Sequence, residues 1–397
     1  MTRALSPGAS ITADQATAFR LRRQGLLARA PKGRLLRSLG AMNGAQAQLL
    51  SAAYVSLAAR VADLTPPALD RATWERRTLV RAWCMRRTLH LLPARDLAIY
   101  ARGSTRRAEK EIRWVLNQGV PAPALDRVLA AMLRLLDRPR TRNELASALR
   151  TRYGARVFAR RGGGWGSARH VPWISLGAVR VPVGYLLHLA SARGVYCSGP
   201  GRDGEGTFVR ADAWIRSWRD RPVAEAEREL LRRYLSAFAP STAADFAIWS
   251  GIRTSDATEI LGCLGDEVMP VAVAGEPAWA LRRDRSELER AALDGPSVRL
   301  VPHFDGYLLG HRDHRPLIPS GRLSDVFRPQ GWVSPAVLVD GRVEATWSSM
   351  PSGGRLDVRV RPLATLDDER RRLIAHEGEE LARFFGLSSA RTVFDRP

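Results

Sequence analysis

The sequence predicts an α+β fold in which three tandem winged-helix domains precede a small C-terminal β-barrel. Two observations predict it. Up to about residue 290, apolar residues at helical spacing come in groups of segments, and each group ends in a strand pair marked by a turn. From about residue 297 the pattern becomes short strands punctuated by Gly and Pro. The domains so drawn are 1–120, 121–222, 223–290 and 291–397.

In order along the chain, residues 1–12 read as a loose tail. A helix is predicted over 14–30, with Phe19, Leu21, Leu26 and Leu27 as a partial apolar stripe. Two more helical stretches fill 31–61 around the break at Gly40–Gly44, and Thr65 with Pro66 marks a further helix start. The piece Arg86–Leu92 suits a short strand or hairpin. A second group runs from the helices over 125–150, broken at Pro139, through VPVGYLLHLASARG to the Gly-rich hairpin VYCSGPGRDGEGTFVR. A third runs from EAERELLRRYLSAF to the hairpin EVMPVAVAGEPAWALRR. Thr141, Ser241 and Ser255 are expected to cap helices. In the last domain, Asp340-Gly341 between VLV and RVEATW is a strong hairpin signal, and a helix closes the chain at 367–386.

The 397 residues, 45% apolar, suffice for several ordinary cores. The net charge of +22 is unevenly placed. Residues 1–220 hold 38 Lys/Arg against 14 Asp/Glu, a net of +24, and residues 221–397 hold 24 against 26, a net of −2. A polyanion is the natural partner for the first part. Lys32 and Lys110 are the only lysines; base composition of the gene accounts for that ratio as readily as function does, but not for the placement. Cys84, Cys197 and Cys263 lie far apart, so neither a disulfide framework nor a zinc site is indicated. No 18-residue apolar run and no signal-peptide core is present, and the chain reads as soluble and cytoplasmic, without membrane contact.

Four stretches resemble the AlkZ/YcaQ family of bacterial DNA glycosylases. They are AQAQLLSAAYVSLAAR (45–60), LVRAWCMRRTLHLLPARD (79–96), the pair VYCSGPG (195–201) and RYLSAFAPSTAADFAIWSG (233–251), and FDGYLLGHRD (304–313) with Gly331, Trp332, Asp340 to Arg342 and Trp347 after it. They follow the family's order over nearly the whole chain. The resemblance implies a C-shaped monomer around a basic cup, acting on double-stranded DNA that carries alkylated guanine, with no cofactor. Family members divide by a Gln-x-Gln or Gln-x-Asp motif, and Gln46-Ala47-Gln48 is similar to the AlkZ type. Those enzymes remove N7-alkylguanine and can unhook interstrand crosslinks, and several protect producers of DNA-alkylating antibiotics. One position departs: the glycine usual before Thr-Leu-His is Arg87 here, which is strained if a positive φ is required.

The resemblance makes Gln46 and Gln48 the catalytic candidates. A carboxamide has no useful pKa and is neither a general base nor a carboxylate nucleophile. N7-alkylguanine is already cationic, however, and leaves without an acid. What remains is to place a water and to favour positive charge at the sugar, which an amide oxygen can do. A bifunctional lyase needs an amine, and no lysine lies near the motif. Residues i and i+2 share a face only in extended chain, so a loop-to-helix junction is expected here, with Gly44 just before it.

Further candidates for DNA contact are Arg81, Arg86, Arg87, Thr88 and His90, which read equally as a solvated basic face with a structural histidine. The run 159–170 adds Arg160, Arg161 and Trp165, as a DNA-touching loop or a plain connection. The resemblance puts Phe304, Asp305, Tyr307 and Arg312 in a stretch facing the lesion, with a buried anchor as the other role for Asp305. His303, His311 and His314 lie on strand and loop without a completing Glu, so no metal is expected. The competing function is a non-catalytic winged-helix DNA-binding or regulatory protein, or a damage binder that has lost catalysis. The basic first half fits all of these.

Overall fold

The computed structural model describes residues 9–153, 156–159 and 170–396. Within them one succession of elements recurs: helix, short strand, two helices, then a strand hairpin whose second strand pairs with the short one. Its first instance is Leu35–Ala41, Ala45–Gln46, Leu50–Ala58, Pro66–Asp70, Leu79–Trp83 and Leu89–Pro93. The second is Ala122–Leu135, Arg140–Thr141, Arg142–Tyr153, Val183–Ala190, Tyr196–Arg202 and Glu205–Arg210. A separate three-stranded sheet, Arg156–Ala159, His170–Leu176 and Val179–Pro182, is inserted before its third helix. In the third, the helices Val223–Phe238, Ala243–Ser250 and Thr254–Gly262 lead into the strands Val268–Val273 and Glu276–Leu281, and a backbone bridge from Ser241 to Trp279 replaces the short strand.

The N-terminal segment departs from expectation. Ser10–Ile11 is not a tail but a strand, parallel to Val268–Val273 in the third unit. The helix predicted over 14–30 is Ala13–Arg23. It stops because Gly25, at φ +68°, takes a left-handed conformation just beyond it. Thr12 caps that helix reciprocally with Gln15. Thr141 caps as expected, bonding Glu144 in both directions. Ser241 and Ser255 do not: the caps are Thr242 and Arg253, and the Ser241 hydroxyl donates instead to the Phe238 carbonyl.

The C-terminal unit is an open sheet and not the expected barrel. Its strand order is Val298–Val301, Ala336–Val339, Arg342–Ser352, Arg355–Pro362 and Ala390–Phe394, and among the described residues the two edge strands do not pair. The last strand lies parallel to its neighbour, which requires a crossover. The helix Asp368–Phe385 is that crossover, and it packs against both edge strands. Its Ile374, Leu381, Ala382 and Phe384 join Val298, Leu300, Val337, Val358 and Val360 in one core. The helix therefore fills the face across which closure would occur. Asp340-Gly341 turns the hairpin as predicted, at φ 50° and 80°. A side chain at Gly341 would meet Thr17 and Tyr307 at 2.5 and 2.7 Å, so the position also admits no bulk.

One buried ion pair ties the first and last units together. Arg60 and Asp305 have fully buried side chains and meet at 2.7 Å. The carboxylate also accepts from the Ser56 hydroxyl at 2.5 Å and the Tyr307 N–H at 3.0 Å. Burial alone would raise this carboxyl's pKa; the charge and hydrogen bonds of Arg60 overcome that and hold it below its usual range. No helix among the described residues is long and apolar enough to cross a membrane.

Candidate active site

Gly44 sets up the site. At φ +80° it turns the chain into the strand Ala45–Gln46, and a side chain there would collide with Leu92 and sit 2.9 Å from the Leu91 carbonyl. The strand pairs Ala45 with Leu91 and Gln46 with His90, and the Ala47 N–H continues the ladder to the Leu89 carbonyl at 2.6 Å. The Arg81 guanidinium donates to the Ala47 carbonyl at 2.9 Å and the Gln48 carbonyl at 3.3 Å. Residues 46–48 are thus held extended just before the helix Leu50–Ala58, and the two glutamines project to one side.

That side is a cavity of about 490 Å³, lined by Gln46, Gln48, Thr88, Phe304 and the loop Arg328–Trp332. Both amide oxygens are fixed by donors. Arg86 donates to Gln46 Oε1 at 3.0 Å, and the Leu89 N–H donates to Gln48 Oε1 at 3.2 Å. Each oxygen keeps a second lone pair, and each amide keeps its two N–H donors. Arg86 also donates to the Trp249 carbonyl at 2.6 Å, and it has no carboxylate at ion-pair distance among the described residues. Burial pushes its pKa down to about 10, so it remains a cation at neutral pH.

The expected contact residues separate into several roles. Thr88 and Phe304 line the cavity. Phe304 holds φ 60° and packs edge-on against Trp332 with ring centres 5.1 Å apart. Arg81 and Arg86 are engaged in positioning the motif, as above. Arg87 takes φ 59°, the left-handed conformation its departure from glycine put in question. Its guanidinium lies 3.4 Å from Glu111 and over the Tyr185 ring. His90 is buried and donates from Nδ1 to the Thr88 carbonyl at 3.1 Å, which leaves Nε2 as its acceptor. Burial, aided by the Arg86 charge, pushes its pKa to about 3, so it is a neutral ring. Arg312 is exposed and outside the cavity lining; its N–H donates to Asp245.

Asp305 and Tyr307 correct the expectation of a lesion-facing pair. Both are buried: Asp305 serves Arg60, and the Tyr307 hydroxyl donates to the Gly341 carbonyl at 3.0 Å. Neither lines the cavity: the segment runs as successive turns, and the left-handed Phe304 faces the cavity while Asp305 and Tyr307 are turned into the core. Arg160, Arg161 and Trp165 lie outside the described residues.

Sequence reasoning singled out Gly331 and Trp332 only as pattern and missed Arg328, Pro329 and Gln330. The signal was a Pro-Gln-Gly-Trp turn, with Gln330 at φ 63° and Gly331 at φ 74° presenting an indole. A larger cavity of about 720 Å³ lies beside the helix Thr105–Asn117 and contains none of the motif residues. The guanidinium of Arg106 there is occupied by Glu227 and Glu259. No group of three His, Cys, Asp or Glu among the described residues is placed to hold a metal ion. His311 bonds the Phe238 carbonyl and Ser241, and His314 stacks on Phe327 at 4.0 Å.

The chain and its fold have counterparts among known proteins. The chain is 29% identical over 360 residues to a Streptomyces sahachiroi protein described as an interstrand DNA cross-link repair glycosylase, covering 88% of this chain and 90% of that one. The solved structure of Streptomyces sahachiroi DNA glycosylase AlkZ superposes with a TM-score of 0.80 at 25% identity, covering 97% of this chain and all of the other. The DNA glycosylase AlkZ-like family profile matches residues 39–384, and the chain belongs to that family.

Proposed function

We propose that the protein is a monofunctional glycosylase that hydrolyses the N-glycosidic bond of N7-alkylguanine in duplex DNA. One observation carries the reading: Gln46 and Gln48 share a single cavity with their amide planes fixed by Arg86 and the Leu89 N–H. Fixed dipoles suit a reaction whose leaving group is already charged. The free lone pairs of the two oxygens orient a water toward the anomeric carbon and favour the positive charge that develops there. Preorganisation matters because a mobile amide would have to reorient during the reaction. Neither Lys32 nor Lys110 lines the cavity, which favours water over an amine as nucleophile.

On the same reading the three recurrent units are winged helices, with domains 1–120, 121–222, 223–290 and 291–397 arranged as a C, and the monomer grips duplex DNA through its basic first half in the cytoplasm. The segment Ser10–Arg23 packs on the third unit. Thr88, Phe304 and Trp332 flank the extruded base, and Arg87, Arg312, Arg160, Arg161 and Trp165 are assigned to flanking DNA. The function extends to unhooking interstrand crosslinks and to protecting the cell from a DNA-alkylating natural product. The test is incubation with duplex carrying one N7-methylguanine, then alkali and strand-break analysis. Wild type nicks the strand at the adduct, and Gln46→Ala and Gln48→Ala each lose most of that activity at nearly unchanged DNA affinity. Binding without base release by the wild type would leave only a DNA-binding protein.

A further inference from the structure

The hairpin of Leu79–Trp83 and Leu89–Pro93 has a second end, remote from the turn that carries Arg86. There the Ala94 N–H donates to the Thr78 carbonyl at 2.9 Å and closes the strand pair. Five strand residues at about 3.3 Å each put this end roughly 17 Å from the Arg86 turn. A cavity of about 250 Å³ lies here. The first unit lines it with Arg76, Arg77 and Arg95, and the segment after the second unit adds Arg216 and Ser217. The chain is bent to bring these side chains together. The Arg76 N–H bonds the Arg71 carbonyl five residues back at 2.8 Å, a π-type turn, and Arg77 follows at φ 55°. Widened turns and left-handed long side chains collect at functional sites, because only a gain elsewhere sustains them. The Arg77 guanidinium is fixed: it stacks on the Trp214 ring at 3.7 Å and donates to the Trp214 carbonyl at 3.4 Å. The other three are uncommitted. Among the described residues no carboxylate lies at ion-pair distance from Arg76, Arg95 or Arg216, and Asp96 and Asp220, close by in sequence, are taken by Arg233 and Arg102.

We propose that this pocket is an oxyanion site that takes one phosphate group. Its lining sets four guanidinium groups against one carboxylate, Glu75, an excess of three positive charges. Like charges held together are relieved by an anion. The largest cavity, beside Thr105–Asn117, differs: it sets five cations against four carboxylates. Arginine forks donate in pairs to phosphate oxygens. The volume lies under the roughly 300 Å³ at which small-molecule sites begin, so the pocket fits an anionic group and not a whole ligand. A backbone phosphate of duplex DNA and a small soluble polyphosphate offer that same group. At about 3.4 Å of helix axis per base pair, the backbone source is a phosphate about five base pairs from the adduct. The site is remote from Gln46 and Gln48, so it stands or falls apart from the hydrolytic reading.

The test uses the full chain and duplexes with one N7-methylguanine, in which a single phosphate at a time, on either strand, is replaced by a neutral methylphosphonate. Wild type is expected to lose affinity about tenfold, the size of one charged hydrogen-bonded contact, at one phosphate roughly four to six base pairs from the adduct. Arg95→Gln and Arg216→Gln, both at exposed positions, bind the unmodified duplex more weakly by a similar factor and no longer respond to that methylphosphonate. Each also lowers the salt slope of binding by about one unit. Arg285→Gln, taken from a surface pair with Glu289, leaves the slope unaltered and is the charge control. A second arm adds inorganic pyrophosphate at constant ionic strength. A rise in the wild-type thermal midpoint that both pocket variants lack, with a flat methylphosphonate scan, assigns the site to a soluble phosphate. A flat scan with no such rise, or pocket variants that match wild type in both arms, overturns the site. Failure of the wild type to release methylguanine, with the scan response intact, sinks the hydrolytic reading instead and leaves the phosphate site standing.

Discussion

Replacing Asp305 by alanine strands a guanidinium in the interior. Arg60 has no exposed side-chain surface, and its two terminal nitrogens meet the carboxylate at 2.8 and 2.7 Å. The substitution removes those two charge-assisted bonds and the Ser56 bond, and it orphans the Tyr307 N–H. Breaking one partner of a buried pair costs about 3–5 kcal/mol, because the remaining charge stays desolvated. Arg60→Met in the same chain removes that charge, so the double variant should be more stable than Asp305→Ala alone. Urea midpoints for the wild type, both single variants and the double variant complete the cycle. A second readout follows from the neighbouring residue. Phe304 holds φ 60°, a conformation a bulky side chain keeps only when its surroundings dictate it. With its anchor gone, Phe304 should leave the cavity, and excision should fall further than DNA affinity does. A double variant no more stable than Asp305→Ala, or a single cost under about 1 kcal/mol, would refute the stranded-charge argument.

Three other outcomes are expected. Arg86→Ala removes a charged hydrogen bond to Gln46 worth about 1.5–3 kcal/mol, so single-turnover excision should fall roughly 10- to 100-fold with duplex affinity little changed; an unchanged rate would show that the Gln46 orientation does not depend on Arg86. Arg87→Gly relieves a left-handed arginine, a strain of about 1–2 kcal/mol offset in part by glycine's chain entropy, so the urea midpoint should rise, and a fall would mean that the Glu111 and Tyr185 contacts outweigh the strain. Burial pushes His90 and His311 from 6.5 to about 3, so the unfolded chain takes up protons the folded one refuses. Stability should therefore drop as pH falls from about 6.5 toward 4, by about 1.4 kcal/mol per pH unit for each such histidine; His90→Gln should flatten the slope by about one proton, and an unaltered slope would exclude His90 as a contributor.

The order of helices and hairpins could be read from the chain because it depends on local signals: 3.6-residue spacing, the Thr141 cap and the Asp340-Gly341 pair. The pairing of Gln46 with Gln48 was likewise legible, since Gly44 and period-two geometry are neighbours in sequence. Sheet closure was not, because alternation in Val298–Val301 or Ala390–Phe394 is the same whether an edge meets another edge or a helix. The burial of Asp305 depends on Arg60, 245 residues earlier, and no local pattern announces such a partner. The same holds for the loop Arg328–Trp332, which reaches Gln46 only after the whole chain has folded back. Arg86 was visible as a basic residue, but its charge reads as solvated until the fold buries it.

The strand Ser10–Ile11 joins the Val268–Val273 edge, with Ile11 opposite Val273. On a ribosome adding ~5–20 residues per second, the earlier partner would wait roughly 15–50 s for the later one. Until then the apolar face of Ala13–Arg23, with Phe19 and Leu21, has nothing to cover it. The third unit is thus completed by the segment made long before it, and the molecule closes on itself only when most of the chain has been synthesised. Deleting residues 9–23 should leave the first unit's sheet intact while exposing the edge of the third.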